Sequence, residues 1–146
     1  HTALRDLFQN RRREATALES SNLAQAELKK LDRFFEQIDR SGQFDDLLFI
    51  GIGGSELGPK MLYEGLQRYR KKGRTVHFIS NIDPDEIAQK LDGLDLRRTL
   101  IAVVSKSGGT LETATNEELV RQRFTAAGLN PSNQAIVITI PGSPMD

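Results

Sequence analysis

Two short loops concentrate the residue types that binding an anion requires. The first is Gly51-Ile52-Gly53-Gly54-Ser55-Glu56-Leu57-Gly58-Pro59. Glycines lack a Cβ, so their backbone N–H groups can approach an anion closely, and a helix starting there adds its positive end and unpaired donors. A dinucleotide fingerprint would need glycine or alanine where Glu56 stands, and a P-loop would need Lys-Ser or Lys-Thr after its last glycine. Both templates fail, so the segment is either a phosphate cradle of another kind or a tight strand-to-helix turn. The second loop, Ser105-Lys106-Ser107-Gly108-Gly109-Thr110-Leu111-Glu112-Thr113, gathers three hydroxyls and one ammonium within six residues. Hydroxyl donors and free helix N–H groups converging there suit a phosphate dianion. Helix capping by Ser107 and Thr110, with Lys106 a solvated charge, explains single residues but explains the cluster less well.

The surrounding pattern says which elements must position these loops. After Gly42 the chain alternates apolar runs, glycine-rich turns and helical stripes, which is α/β logic. Leu47 to Ile52 is a continuous apolar run, as in a parallel strand covered on both faces. Leu57, Met61, Leu62, Leu66 and Tyr69 then trace a helical stripe. Thr75 to Ile79 predicts a second strand, and Asp83-Pro84 opens a helix running to Leu91. Thr99 to Val104 predicts a third strand. Leu111, Ala114, Leu119, Val120, Phe124 and Ala127 form the stripe of a helix that stops at Gly128. Ala135 to Ile140 predicts a fourth strand. Right-handed crossovers between such strands give an open, doubly wound parallel sheet of flavodoxin-like type with helices on both faces, whose ligands sit outside the carboxyl ends of the strands.

Residues 1–42 read as a separate helical segment and residues 43–146 as the α/β domain. Leu4, Leu7, Phe8, Ala15 and Leu18, then Leu23 or Ala24, Leu28, Leu31, Phe35 and Ile38, recur at helical spacing. Ser20, Ser21 and Asn22 between them favour helix N-caps and predict a break, hence a helical hairpin.

At 146 residues with 38% hydrophobic and 27% charged residues, the chain can bury a core. Twenty basic and twenty acidic residues cancel, which disfavours a dedicated nucleic-acid or acidic-membrane binder. The absence of cysteine excludes disulfides, thiolate zinc sites and a cysteine nucleophile within the chain. The longest apolar run is far short of the roughly 20 residues of a membrane span, and no signal-peptide core is evident, so a cytoplasmic protein is expected.

The two loop motifs, GIGGS(D/E)LGP and SK(S/T)xxTxET, resemble those of the glucose-6-phosphate isomerase (phosphoglucose isomerase) family, in its sugar-isomerase (SIS) domain. Phe78-Ile79-Ser80-Asn81-Ile82-Asp83 and Glu112-Thr113-Ala114-Thr115-Asn116 fall in the family's order and spacing, and the match runs from about Leu47 to Ile140. The resemblance implies that Gly54 and Ser55 contact a phosphorylated hexose, glucose 6-phosphate or fructose 6-phosphate. It implies that Ser105, Lys106, Ser107 and Thr110 surround the phosphate. It further implies an aldose–ketose isomerisation through an enediol, without cofactor, in a homodimer. One departure is Gly109, where the family usually has a hydroxyl residue, and it predicts weaker phosphate affinity. Family members are several hundred residues long with a second SIS domain. The resemblance therefore implies that the glutamate base, the ring-opening histidine and a late lysine lie beyond Asp146, and that no catalytic residue lies within this chain.

The remaining titratable residues do not change that assignment. His77 falls inside the second strand and is expected to be packed, and Glu112 in a first helical turn suits a dipole or packing role. Arg68, Arg70, Lys71, Lys72 and Arg74 suit a solvated helix end rather than a nucleic-acid patch, and the Arg11-Arg12-Arg13 run is read alike. Asp83, Asp85 and Glu86 read as first-turn acids rather than a metal site. Two other functions fit parts of the pattern: a SIS-type phosphosugar sensor without catalysis, and a nucleotide-binding module.

Overall fold

The structure, a computed structural model, describes residues 15–146. Contacts divide the chain after Gln43 into two compact units. In the first, helix α1 (Ala15–Ser41) runs without interruption through Ser20, Ser21 and Asn22, so the predicted break there is absent. Each such residue costs only about 0.5 kcal/mol in a helix interior, and the neighbouring Ala, Leu, Glu and Lys residues carry the helix across them. Ala24, Leu31, Phe34 and Ile38 are half-buried, while Leu28 and Phe35 are exposed. The helix ends where Gly42 turns to φ 58° and donates to the Ile38 carbonyl at 3.3 Å. The positions Leu4 to Phe8, Arg11 to Arg13 and His1 lie outside the described residues.

The second unit is an α/β layer structure. Strands β1 (Asp46–Gly51), β2 (Thr75–Ile79), β3 (Thr99–Val104) and β4 (Ala135–Ile138) form one fully parallel sheet in the order β2-β1-β3-β4. The predicted strands two and three match residue for residue. Strand one ends at Gly51 rather than Ile52, because Gly51 pairs with Val104, the last residue of β3, while the Ile52 carbonyl accepts the Ser55 N–H at 3.2 Å and begins a helical turn. Strand four ends at Ile138 rather than Ile140 for the same reason: β3 offers it no partner beyond Ser105, whose N–H reaches the Ile138 carbonyl at 3.1 Å.

Helices α2 (Gly54–Gly65), α3 (Pro84–Asp92) and α4 (Leu111–Ala126) cover both faces. Side chains alternate across a strand, so Leu48, Ile50, Ile101 and Val103 share one face. There they form the core with Ile87 and Leu91 of α3 and Val120 and Phe124 of α4. Phe49 and Phe78 share the opposite face with ring centroids 5.3 Å apart, and Tyr63 of α2 packs onto Phe78 at 5.9 Å. The doubly wound arrangement predicted from the pattern is thus present. Asp83 caps α3, accepting from the N–H groups of Asp85 and Glu86, and Gly128, at φ 75°, follows α4.

The predicted stripe of α2 does not face the core, and that of α4 does so only in part. Leu57, Met61 and Tyr69 are 62%, 67% and 71% exposed, and Leu62 and Leu66 are exposed with them. The face of α2 turned inward carries Glu56 and the half-buried Ser55, Pro59 and Tyr63 instead. On α4, Leu111 is 75% exposed and Ala114 and Ala127 are exposed, while Thr113 and Asn116 join Val120 and Phe124 inside. Apolar periodicity identifies an apolar face, but the direction of the helix over the sheet decides which face is covered.

Candidate functional site

The strand order reverses between β1 and β3, since β1 leads outward to β2 and β3 leads outward the other way to β4. In an open α/β sheet that switch point is where the crevice for a ligand forms. The pairing of Gly51 with Val104 makes the two glycine- and hydroxyl-rich loops leave adjacent strands at one level, about 4.8 Å apart. Both then enter helices: the first turn of α4 leaves N–H groups without intrahelical partners, whereas in α2 the Ser55 N–H is taken by the Ile52 carbonyl.

In the first loop, Gly53 takes φ 58° and ψ −124°, a conformation open to glycine, and its carbonyl accepts the N–H groups of Glu56 and Leu57 at 3.0 and 2.8 Å. Gly54 is exposed and Ser55 half-buried, both at the mouth of α2. Glu56 is only 3% exposed, a burial its charge does not predict, and it pairs with Lys60 Nζ at 3.2 Å one turn on. Its position in the motif, where an acid is common to the resemblance, was the signal available for it.

The second loop is braced from within. Ser105, 2% exposed, shares a hydrogen bond of 3.2 Å with Thr110 Oγ1 and accepts the Gly108 N–H at 3.2 Å. Ser107 Oγ accepts the Gly109 N–H at 3.2 Å and is exposed, as is Lys106. Lys106 makes no ion pair among the described residues. Thr110 occupies the N-cap position of α4, yet its side chain makes no capping bond. Simple capping therefore does not account for Thr110, whose hydroxyl is half-buried toward Ser105. The backbone brings Gly54 and Ser55 to one edge of the sheet with Ser105, Lys106, Ser107 and Thr110. Within that group Ser105 faces inward, and Gly54, Lys106 and Ser107 lie open.

Other charged groups sit elsewhere. Arg68 to Arg74 precede β2 and so lie at the amino edge of the sheet; Arg68 rests over the Tyr69 ring at 5.0 Å, and Arg70 reaches Tyr63 Oη at 3.4 Å. His77 is half-buried and bonded through Nε2 to Asp46 Oδ1 at 2.8 Å, near that same edge. Glu112 is exposed in the first turn of α4. Glu86 is bound by Lys90 Nζ at 2.5 Å, which also donates to the Phe78 carbonyl at 2.6 Å. A hollow between α3 and α4, lined by Leu91, Leu94, Leu96 and Arg123, lies far from both loops. No group of three or more His, Asp or Glu among the described residues is arranged to hold a metal ion. Among the described residues no helix is long and apolar enough to cross a membrane.

Sequence reasoning did not reach the turn that follows β4, where Ser143 packs against Gly108. Its place outside the carboxyl end of a neighbouring strand was the available signal.

Comparison with known proteins bears on the family and the fold. The model of the family described as phosphoglucose isomerase matches residues 1–140. A glucose-6-phosphate isomerase of Protochlamydia amoebophila (strain UWE25) is 54% identical over 147 residues, taking in 100% of this chain and 27% of the relative. That of Desulfotalea psychrophila (strain LSv54 / DSM 12343) is 44% identical over 153 residues, taking in 100% of this chain and 28% of the relative. The crystal structure of a glucose-6-phosphate isomerase from Chlamydia trachomatis superposes with a TM-score of 0.91 at 42% identity, covering 100% of this chain and 28% of that one. The chain thus spans about a quarter of the length of these relatives.

Proposed function

Because this chain belongs to the phosphoglucose isomerase family, we propose that it supplies the phosphosugar-binding half-site for the reversible isomerisation of glucose 6-phosphate and fructose 6-phosphate. The observation that carries this reading is the meeting of the two loops at the switch point, with exposed Lys106 and Ser107 beside the start of α4. Lys106 supplies charge, while Ser107, Thr110 and the free N–H groups of α4 supply donors; together they suit the phosphate dianion. Gly54 and Ser55, at the mouth of the neighbouring helix, take the sugar. Ser105 both braces the loop and belongs to the phosphate's surroundings.

Isomerisation through an enediol moves a proton between C2 and C1, and the base that carries it must lie within hydrogen-bond reach. On this reading the base and the ring-opening group lie outside this chain. His77 is committed to Asp46 near the far edge, and Glu56 is buried against Lys60. The same reading includes a homodimer, a cytoplasmic location and no cofactor for the whole protein.

Calorimetric titration of the chain with glucose 6-phosphate, glucose and ATP tests the proposal. Glucose 6-phosphate should bind more tightly than both glucose and ATP. Equal affinity for glucose and its phosphate, or tighter binding of ATP, would overturn it.

A further inference from the structure

The turn after β4 closes against the outer side of the Ser105–Thr110 loop at one point. A methyl group on Gly108 would fall 2.5 Å from Ser143 Oγ, 2.7 Å from Ser143 Cβ and 3.2 Å from the Met145 nitrogen. No side chain fits in that space, and Gly108 also takes φ 64°, where an L-residue is strained. Glycine at 108 is therefore required twice, once by conformation and once by Ser143.

Ser143 is itself held in place. Its hydroxyl shares a 2.7 Å hydrogen bond with Thr139 Oγ1, just past β4, and accepts the Met145 N–H at 3.3 Å. The Ser143 N–H reaches the Ile140 carbonyl at 3.2 Å, and Asp146 closes the turn by accepting the Gly142 N–H at 2.7 Å. Met145 packs on the hydrophobic core, so the turn is tied to the same cluster that holds β1 and β3. From inside, Ser105 binds the Gly108 N–H through its hydroxyl at 3.2 Å and its carbonyl at 3.3 Å. Gly108 is thus gripped between Ser105 and Ser143, with Ser107 and Gly109 on either side of it.

We propose that Ser143 is a positioning residue for the phosphate loop: by seating against Gly108 it fixes the backbone on which Ser107 stands exposed and the Gly109 N–H holds the Ser107 hydroxyl oxygen. It acts through Gly108 and need not touch the sugar phosphate. This inference rests on reading the loop as the phosphate site, and the experiment separates the two.

Amide hydrogen exchange is measured on the full chain without ligand, followed by titration with inorganic phosphate monitored by the Gly108 and Gly109 amide resonances. Ser143→Ala should speed exchange of these two amides and weaken phosphate by about three- to tenfold, the scale of one lost hydrogen bond, while the melting temperature changes little. Gly108→Ala should weaken phosphate further, and by less when combined with Ser143→Gly, since the two residues share one space. Unchanged loop exchange in Ser143→Ala, or a fall in melting temperature without a change at Gly108 and Gly109, would overturn the positioning role. If phosphate fails to shift these resonances in the unmodified chain while Ser143→Ala still speeds their exchange, the reading of the loop as the phosphate site falls, and Ser143 is left as a brace of the loop with no role toward phosphate.

Discussion

Asp45 and Arg98 hold each other at two levels: the Asp45 N–H donates to the Arg98 carbonyl at 2.9 Å, and the Arg98 guanidinium returns to the Asp45 carboxylate, with Nη2 to Oδ1 at 2.8 Å. The two residues stand just before β1 and β3, so this clasp sets the register at the amino edge of the strands whose carboxyl ends carry the candidate loops.

The clasp gives the fold an acid-side dependence. The hydrogen bond from Arg98, aided by the charges of Arg98 and Arg74, holds the Asp45 carboxyl below its ordinary value of 3.8. The hydrogen bond and charge of Lys90 hold Glu86 below its ordinary 4.5. A depressed native pKa stabilises fully above the unfolded value and loses that contribution as pH falls toward the native one. Stability should therefore decline from about pH 4.5 downward, more weakly at high salt because both carboxyls face solvent. In urea titrations across pH 2 to 7, Asp45→Asn and Glu86→Gln should each flatten the acid limb; variants that track the parent throughout would refute this.

Gln134 offers a stability test away from the site. Buried before β4, its Nε2 donates to the carbonyls of Leu96 and Thr99, both at 2.9 Å, and lies 3.3 Å from that of Arg97. Gln134→Met keeps the volume but strands those acceptors, which costs about 1–3 kcal/mol. Thermal unfolding should show a drop of several degrees, with phosphate affinity unaltered, since the contacts lie at the start of β3. A loss under one degree would mean the carbonyls find other partners.

What could be read from the residues, and what could not, follows from the range of the interactions. The run from Thr75 to Ile79, rich in β-branched and aromatic residues, and the apolar run from Thr99 to Val104 define their strands locally, and the glycines and hydroxyls that follow β1 and β3 mark the loops. The direction in which α2 presents its stripe depends on the sheet, so Leu57 and Met61 were expected inside and are found exposed. Nothing in the spacing of Ser105 and Thr110 says that their hydroxyls bond to each other rather than to a ligand. The seat of Ser143 on Gly108 joins residues from different strand ends and has no local signature.

The position of an anion distinguishes the loop from the basic run. Sulfate in crystals grown at high concentration should settle beside Lys106, Ser107 and the start of α4, where donors converge without a competing carboxylate partner for Lys106. Arg68, Arg70, Lys71 and Lys72 offer more charge, but on exposed chains and at the other edge of the sheet. Sulfate found only at the basic run, with the loop empty, would show the phosphate site to be wrongly placed.

Two serines in the same loop should respond differently to the same substitution. Ser107 is exposed and spends its hydroxyl on one local bond from the Gly109 N–H, so its donor is free to turn outward. Hydrogen bonds to charged groups are worth about 1.5–3 kcal/mol, and tenfold in affinity is about 1.4 kcal/mol. On the proposed function, Ser107→Ala in the full-length protein should then raise the Michaelis constant for glucose 6-phosphate by roughly ten- to hundredfold and leave the melting temperature nearly unchanged. Ser105 is buried and ties together Gly108 and Thr110. Its removal leaves a buried N–H with a poorer partner, so Ser105→Ala should lower both affinity and melting temperature. The pair is decided by measuring both quantities in both variants. A melting temperature that falls in Ser107→Ala with an unchanged Michaelis constant would make Ser107 a structural turn residue and remove it from the phosphate site.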